Sequence, residues 1–285
     1  MNMNTNWWSE IDFIPQQDRV LAKGDSGNEV REVQSLLRNA GFDTTLDGEF
    51  GPGTERSIRA FQKREGLVVD GRVGPKTLWR LKSLPLDRRL LTQSDIERTA
   101  LSLGCQVAAV MAVNEVESRG SGFFDNGLPA ILYERHVMYK QLEAHGVDPR
   151  MYVASMPDIV NPQTGGYVGG VGEYDRLAKA YGINPSAAQE SASWGAFQIM
   201  GYHWARLGYL SVDDFTTRMK RSEADHLDAF QRFIEADDRL HEAMVMLDWK
   251  LFARLYNGPN YAKNQYDVKL GDAFGRHRTA LKVMG

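Results

Sequence analysis

The sequence is poor in the features that cross-link a protein, anchor it in a membrane or steer it to nucleic acid. Cys105 is the single cysteine among 285 residues, which excludes an internal disulfide and fits folding in a reducing compartment. No apolar run approaches the roughly 18 residues of a membrane span, so we expect no stable membrane insertion. The 34 Lys and Arg residues face 37 Asp and Glu residues, so no overall basic field attracts nucleic acid.

An internal repeat marks the N-terminal part of the chain. The segment DGEFGPGT at residues 47–54 recurs 23 residues later as DGRVGPKT at residues 70–77. In each copy Asp-Gly supplies a tight turn and Gly-Pro begins a helix, so Asp47 and Asp70 are predicted to form turns. An earlier helix is predicted after a capping box at residues 26–29. Residues 20–82 are therefore predicted to form a compact unit of three short helices.

These spaced elements resemble the three-helix peptidoglycan-binding domain of cell-wall hydrolases. The resemblance starts at Leu21 and Lys23-Gly24-Asp25, continues through the first helix, and includes Phe61-Gln62 and both Asp-Gly repeats. It implies binding of wall glycan or stem peptide. Residues 1–19, with the Trp7-Trp8 pair, carry no basic region or long apolar core and are predicted to be an N-terminal arm rather than a secretory signal.

The rest of the chain is predicted to be one larger, mostly helical domain. Residues 83–92 suit a linker, and residues 93–285 have the size of a second domain. The predicted fold class is mainly α, allowing for a short β-hairpin. The principal expected elements are a buried helix at 106–117, a mobile loop or short hairpin at 161–172, a core helix starting near Phe197, and helices at 213–236 and 238–256.

A glutamate stands where the buried helix ends. Glu117 continues the helix face of Val110 and Val113, and a Ser-Arg-Gly-Ser-Gly cluster follows it. Glu115 lies two residues earlier, about 200° away around the helix, and points elsewhere. An apolar wall favours the neutral form of a carboxyl, as a general acid requires. Glu117 is therefore the predicted acid.

Three motifs in order resemble those of goose-type lysozymes and lytic transglycosylases. They are Glu117-Ser118, the segment GAFQIM at residues 195–200, and Leu255-Tyr256-Asn257-Gly258-Pro259, which has one residue fewer before the glycine. The match is closer to the phage-type N-acetylmuramidase domain of modular endolysins, which also shares residues 131–136. The resemblance implies that Gln198, Asn257 and Tyr167 bind the sugar, and that Tyr256 positions either Glu117 or the sugar ring.

The resemblance implies an endolysin that cleaves the β-1,4 bond between N-acetylmuramic acid and N-acetylglucosamine. Its partner would be bacterial peptidoglycan, and the protein would be a monomer without cofactor or metal. It would stay in the host cytoplasm until lysis and then act on the wall.

Several alternatives stay open at this stage. Glu134 is a candidate second carboxylate, but an ion pair with Arg135 or a neighbouring helix explains it equally well. A lytic transglycosylase, which leaves anhydro ends, needs no second carboxylate. A non-catalytic wall-binding or virion structural protein is the alternative of another class. The six histidines form no His-Glu-x-x-His pattern, and Cys105 opens an apolar stretch, so zinc and cysteine peptidases are disfavoured.

Overall fold

The computed structural model describes residues 20–82, 89–118, 122–124, 126–258 and 261–284. Their contacts divide them into two compact units, which are residues 20–116 with 268–284, and residues 117–267. The predicted N-terminal arm lies outside the described residues, as do residues 83–88 of the predicted linker. The domain boundaries drawn from the sequence stay a prediction.

Helices dominate the described chain, which confirms the predicted mainly α class. The first unit is built from α1 (Asn28–Asn39), α2 (Pro52–Arg64), α3 (Pro75–Lys82), α4 (Gln93–Leu103), α5 (Val107–Glu117) and α14 (Tyr266–Met284). The second unit is built from β1 (Ile131–Tyr133), α6 (Arg135–Ala144), α7 (Arg150–Val153), α8 (Glu173–Tyr181), α9 (Pro185–Glu190), β2 (Ala192–Trp194), β3 (Ile199–Met200), α10 (Val212–Met219), α11 (Glu223–Glu235), α12 (Asp238–Val245) and α13 (Trp249–Tyr256).

No single helix among the described residues has the length and apolar character of a membrane span. Only α4 and α5 taken together meet that criterion, and a bend of 116° separates them.

The two Asp-Gly turns of the first unit share one hydrogen-bond pattern. In the first turn, Gln34 Nε2 donates to Asp47 Oδ1 (2.8 Å), and Gln34 Oε1 accepts from the Gly48 amide (2.9 Å). The same nitrogen also donates to the Glu49 carbonyl (3.0 Å) and to Thr54 Oγ1 (3.1 Å). A buried glutamine thus holds the turn to the start of the following helix.

The second turn repeats these contacts atom for atom. Gln62 Nε2 donates to Asp70 Oδ1 (2.7 Å), to the Arg72 carbonyl (2.9 Å) and to Thr77 Oγ1 (3.1 Å). Gln62 Oε1 accepts from the Gly71 amide (2.9 Å). The sequence repeat is therefore a structural repeat.

The helices α1 and α4 of the first unit are capped differently at their N-termini. The predicted capping box at residues 26–29 is wrong. Gly27, at φ 122°, is the N-cap of α1, and no side chain caps that helix. Ser26 instead forms a β-bridge with Glu49, which commits its backbone to an extended conformation. A true capping box starts α4, where Thr92 accepts from the Asp95 amide and Asp95 accepts from the Thr92 amide.

A three-stranded antiparallel sheet lies in the second unit, in the order β1-β2-β3. Ile131 pairs with Trp194, and Trp194 pairs with Ile199. A short hairpin forms at residues 192–200 rather than at residues 161–172, where the sequence offered a loop or a hairpin. The predicted core helix start near Phe197 is wrong because that segment turns into β3. Residues 161–172 contain no strand, only a 3₁₀ turn at Gly170–Gly172.

Both long helices predicted near the C-terminus are wrong, because each is two helices. Ser222 caps α11 by accepting from the Asp225 amide, which ends the run that α10 begins. Leu247 adopts a positive φ of 59° between α12 and α13, and Asp248 caps α13 by accepting from the Leu251 amide. Such short polar side chains compete with the backbone bonds that would continue a helix.

Candidate active site

Glu117 and Asn257 form the centre of the candidate site. Glu117 is the last residue of α5 and is half-buried. Its Oε1 accepts a hydrogen bond from Asn257 Nδ2 at 2.9 Å. Asn257 is the C-cap of α13 and is only 3% exposed, so the amide end of this bond is buried. Glu117 and Asn257 belong to two of the three motifs found in the sequence. They lie 140 positions apart in the chain, and the fold brings them into direct contact.

Tyr256 stands beside this pair in an aromatic cluster. Its ring stacks on Phe252 at 5.7 Å and meets Phe230 and Phe233 edge-on. Its hydroxyl donates to the Phe197 carbonyl at 3.2 Å. Burial raises the pKa of the Tyr256 hydroxyl well above its usual value, and the negative charge of Glu117 adds to the rise. Tyr256 therefore stays protonated and joins α13 to the β2-β3 turn.

Gln198 fixes the β2-β3 turn with both ends of its amide. It adopts a positive φ of 51°, which is uncommon for a residue with a side chain. Its Nε2 donates to the carbonyls of Gly195 (2.8 Å) and Ala130 (3.1 Å), while its Oε1 accepts from Ser193 Oγ (2.9 Å). Only 6% of the residue is exposed. These contacts define Gln198 as a residue that shapes the turn.

His226, which the sequence analysis did not single out, supports the same turn. Its Nδ1 accepts a hydrogen bond from the Ala196 amide at 3.1 Å, and its Nε2 lies 2.7 Å from the Met219 carbonyl. These partners require the tautomer that carries its proton on Nε2. The ring also stacks on Phe123 at 5.0 Å.

Two glycines make room for the His226 ring. A Cβ at Gly195 would lie 2.6 Å from the ring, and a Cβ at Gly122 would lie 2.3 Å from it. The Gly122 amide also donates to Glu223 Oε1 at 2.8 Å. One buried histidine thus holds both the segment after Glu117 and the β2-β3 turn. The sequence shows glycine at both positions, but it does not show that the His226 ring packs against them.

Glu134 and Tyr167 form a second pair of predicted site residues. Glu134 is fully buried at the start of α6, and both of its oxygens lie within 3.0 Å of the Tyr167 hydroxyl, which donates to them. Burial, and then the charge of Glu134, raise the pKa of Tyr167 above its usual range. Among the described residues, neither member of this pair hydrogen-bonds to Glu117 or Asn257.

Arg135 does not pair with Glu134, contrary to one of the two explanations that the sequence offered. Its guanidinium donates to the carbonyls of Pro157 (2.9 Å), Gln163 (3.0 Å) and Thr164 (2.7 Å). Arg135 thus holds the loop that carries Tyr167.

Cys105 has the properties of a packing residue. Burial raises the pKa of its thiol to about 11, so the thiolate that a nucleophile needs is scarce at neutral pH. Within the described part of the chain, no three His, Cys, Asp or Glu side chains are grouped so that they could hold a metal ion.

Together these residues place a carboxyl at the end of a helix beside a buried amide and an aromatic cluster. Residues 106–278 match the N-acetylmuramidase family, and residues 26–81 match the putative peptidoglycan binding domain. The chain belongs to the N-acetylmuramidase family. This membership confirms the family and the enzyme class predicted from the motifs.

Individual relatives agree with this assignment. The crystal structure of the Burkholderia AP3 phage endolysin superposes with a TM-score of 0.86 at 48% identity, covering 92% of this chain and all of that one. A spore cortex-lytic enzyme of Bacillus cereus is 48% identical over 61 residues, and the zinc D-Ala-D-Ala carboxypeptidase of Streptomyces albus G is 39% identical over 72 residues. These matches cover 21% and 24% of this chain, and the chain spans only 24% and 28% of those two curated relatives.

Proposed function

We propose that this chain is an endolysin that cleaves the β-1,4 bond between N-acetylmuramic acid and N-acetylglucosamine, with Glu117 as the general acid. The observation that carries the proposal is the Glu117–Asn257 hydrogen bond at the end of α5. Glycoside cleavage requires a carboxylic acid that protonates the leaving oxygen as positive charge develops on the sugar. A donor that is neutral, such as Asn257, orients this acid without favouring its ionised form as strongly as a cation would.

The other site residues then have supporting roles. Tyr256 and Asn257 position Glu117, and Gln198 shapes the turn beside the sugar. Glu134 and Tyr167 hold the loop at residues 161–172 against α6. A role for Glu134 as base or nucleophile is a second proposal, which its burial makes less direct because a reacting carboxylate must reach water or sugar.

Residues 20–82 are proposed to bind the wall, and residues 93–285 to perform the cleavage. The substrate is bacterial peptidoglycan, and the protein acts on it as a monomer. It reaches the wall from the host cytoplasm at lysis.

Digestion of purified sacculi followed by mass spectrometry tests the reaction. We expect disaccharides with intact stem peptides and reducing muramic acid ends. Anhydro ends would identify a lytic transglycosylase instead. Free stem peptides would contradict glycan cleavage altogether, and no release of fragments would favour a non-catalytic wall protein.

Substitution tests the acid. Glu117→Gln keeps the shape of the side chain but removes its transferable proton, so we expect activity to fall by about 10²-fold or more. Glu143→Gln is the matched control, since Glu143 is an exposed glutamate on α6. Full activity in a folded Glu117→Gln protein would show that another group is the acid.

A further inference from the structure

The imidazole ring of His226 lies where three segments of the second unit meet. The residue is in the first turns of α11 and is only 1% exposed. Its ring stacks on Phe123 at 5.0 Å, and its Nδ1 accepts from the Ala196 amide at 3.1 Å. Its Nε2 donates to the Met219 carbonyl at 2.7 Å. A ring this buried, with both nitrogens in use, is not available to a sugar, so its effect on the site acts through the segments that it holds.

The segment that follows the proposed acid is fixed at Gly122. The Gly122 amide donates to Glu223 Oε1 at 2.8 Å, and its carbonyl accepts from the Ala130 amide at 2.9 Å. The Ala130 carbonyl accepts in turn from the Gly195 amide at 2.8 Å. Backbone hydrogen bonds thus run from this segment to the β2-β3 turn, which His226 also holds.

Space, rather than backbone conformation, requires glycine at residue 122. Gly122 does not adopt a positive φ, unlike Gly195. A Cβ at Gly122 would nevertheless lie 2.3 Å from His226 Nδ1, the atom that accepts from the Ala196 amide. Atoms at that distance overlap, so an added methyl group would displace the ring. The fit of the ring against Gly122 therefore determines where the ring holds the turn.

The β2-β3 turn is also connected to the proposed acid through α13. The Phe197 carbonyl of the turn accepts from the Tyr256 hydroxyl at 3.2 Å. Asn257, the next residue of the chain, donates to Glu117 at 2.9 Å. A displacement of about 1 Å at a reacting group can lower a rate by about 10²-fold, even when the substituted residue lies far from the chemistry. The contacts that hold this turn therefore bear on the rate of the reaction.

We propose that His226 is a positioning residue for glycan cleavage, which fixes the β2-β3 turn relative to the segment that follows Glu117 by accepting the hydrogen bond of the Ala196 amide. The proposal rests on the proposed function, because it gives His226 a role in that same reaction. Since the ring is buried, loss of this bond should lower kcat and leave KM nearly unchanged.

Two substitutions separate the roles of the two ring nitrogens. In His226→Asn, the side-chain oxygen takes the position of Nδ1 and still accepts from the Ala196 amide. In His226→Gln, the longer side chain reaches the position of Nε2 and still donates to the Met219 carbonyl, but the Ala196 amide loses its acceptor. The same two substitutions at His241, a half-exposed histidine on α12, are the matched controls. Gly122→Ala keeps the histidine and crowds its ring.

The full chain is assayed on solubilised, uncross-linked peptidoglycan strands, with new reducing ends as the measured product. We expect His226→Gln to lower kcat by about tenfold or more with KM within about twofold, and His226→Asn to keep kcat within about threefold of the wild type. The His241 variants should stay within about twofold in both constants.

Gly122→Ala provides a second measurement, because it disturbs the same hydrogen bond from the other side of the ring. It should also lower kcat by about tenfold. The double variant with His226→Gln should then lose less than the product of the two single losses, since one bond is broken only once. Amide hydrogen exchange at Ala196, followed by nuclear magnetic resonance, should be faster in His226→Gln and Gly122→Ala than in the wild type and His226→Asn. Thermal unfolding shows that each variant is folded at the assay temperature.

Several outcomes would overturn the proposal. One is an unchanged kcat in folded His226→Gln, and another is an equal loss of kcat in His226→Asn and His226→Gln, because the Ala196 bond would then not determine the rate. Independent losses in the double variant would also contradict it. If His226→Gln does not fold, Gly122→Ala decides, and an unchanged kcat in that variant overturns the proposal. Absence of reducing ends with the wild type would remove the proposed function and this role together, whereas full activity in the variants removes only this role.

Discussion

Glu115, near the end of α5, accepts hydrogen bonds from three side chains of the first unit. It accepts from His277 Nε2 at 2.8 Å, Arg72 Nη1 at 2.9 Å and Arg276 Nη2 at 2.6 Å. Burial by itself raises the pKa of Glu115, but the bond from His277 and the charges of Arg72, His277 and Arg276 outweigh it. The result is a pKa of about 2, against an ordinary value of 4.5.

The lowered pKa of Glu115 determines how much this residue contributes to the free energy of unfolding and how that contribution changes with pH. The fall in pKa from 4.5 to about 2 corresponds to at most about 3.5 kcal/mol of stabilisation at neutral pH, at about 1.4 kcal/mol per pKa unit, and the 18% exposure of the side chain reduces this to about 3 kcal/mol. Because the folded pKa lies below the unfolded one, the stabilisation is complete above about pH 4.5 and is lost as the pH falls towards about 2. Glu115→Gln should therefore reduce the free energy of unfolding by about 3 kcal/mol at pH 7.

Urea unfolding followed by circular dichroism measures this effect across the pH range. The gap between wild type and Glu115→Gln should narrow between about pH 4.5 and pH 2, because protonation removes the same charge from the wild type. Glu97→Gln is the control, since Glu97 is an exposed glutamate on α4 of the same unit and its loss should change stability by about 0.5 kcal/mol or less. A gap below about 1 kcal/mol at pH 7, or one that does not change with pH, would refute the reasoning.

Three further predictions concern the second unit. Asn257→Ala removes a donor to Glu117 and should lower kcat by about 10- to 100-fold with a smaller effect on KM; an unchanged kcat would show that the bond does not orient the acid. Gly195→Ala places a Cβ 2.6 Å from the His226 ring at a φ of 74°, so the melting temperature should fall, whereas Gly53→Ala, with open space around it, should not lower it. Tyr167→Phe leaves Glu134 without a hydroxyl donor and should reduce the free energy of unfolding by about 1–3 kcal/mol in urea titrations, and equal stability would contradict the importance of that bond.

Sequence reasoning succeeds here where the chemistry is local. The Asp-Gly repeat and the helix that ends at Glu117 depend on residues a few positions apart. It fails where the same local sequence suits two conformations of similar free energy. The apolar spacing through Leu247 suits one long helix, but the Asp248 side chain satisfies the amides of a new helix start, and the chain breaks there.

Long-range contacts explain what the sequence analysis of the site missed. His226 is one of six histidines, and nothing near it in the sequence distinguishes it. Its importance comes from two glycines, Gly122 and Gly195, which approach its ring from segments far away in the chain. Similarly, the motif resemblance identified Gln198, but its use of both amide ends within the turn became visible only in three dimensions.

The end of α5 shows how one helix can carry two carboxyl groups with different chemistry. A separation of two residues places Glu115 and Glu117 about 200° apart around the helix. Glu115 meets Arg72, Arg276 and His277, and with a pKa of about 2 it has no proton to give at neutral pH. Glu117 accepts from the neutral amide of Asn257. The proposed division of roles therefore follows from helix geometry: Glu115→Gln should reduce stability while the folded protein still cleaves, and Glu117→Gln should abolish cleavage while stability changes little.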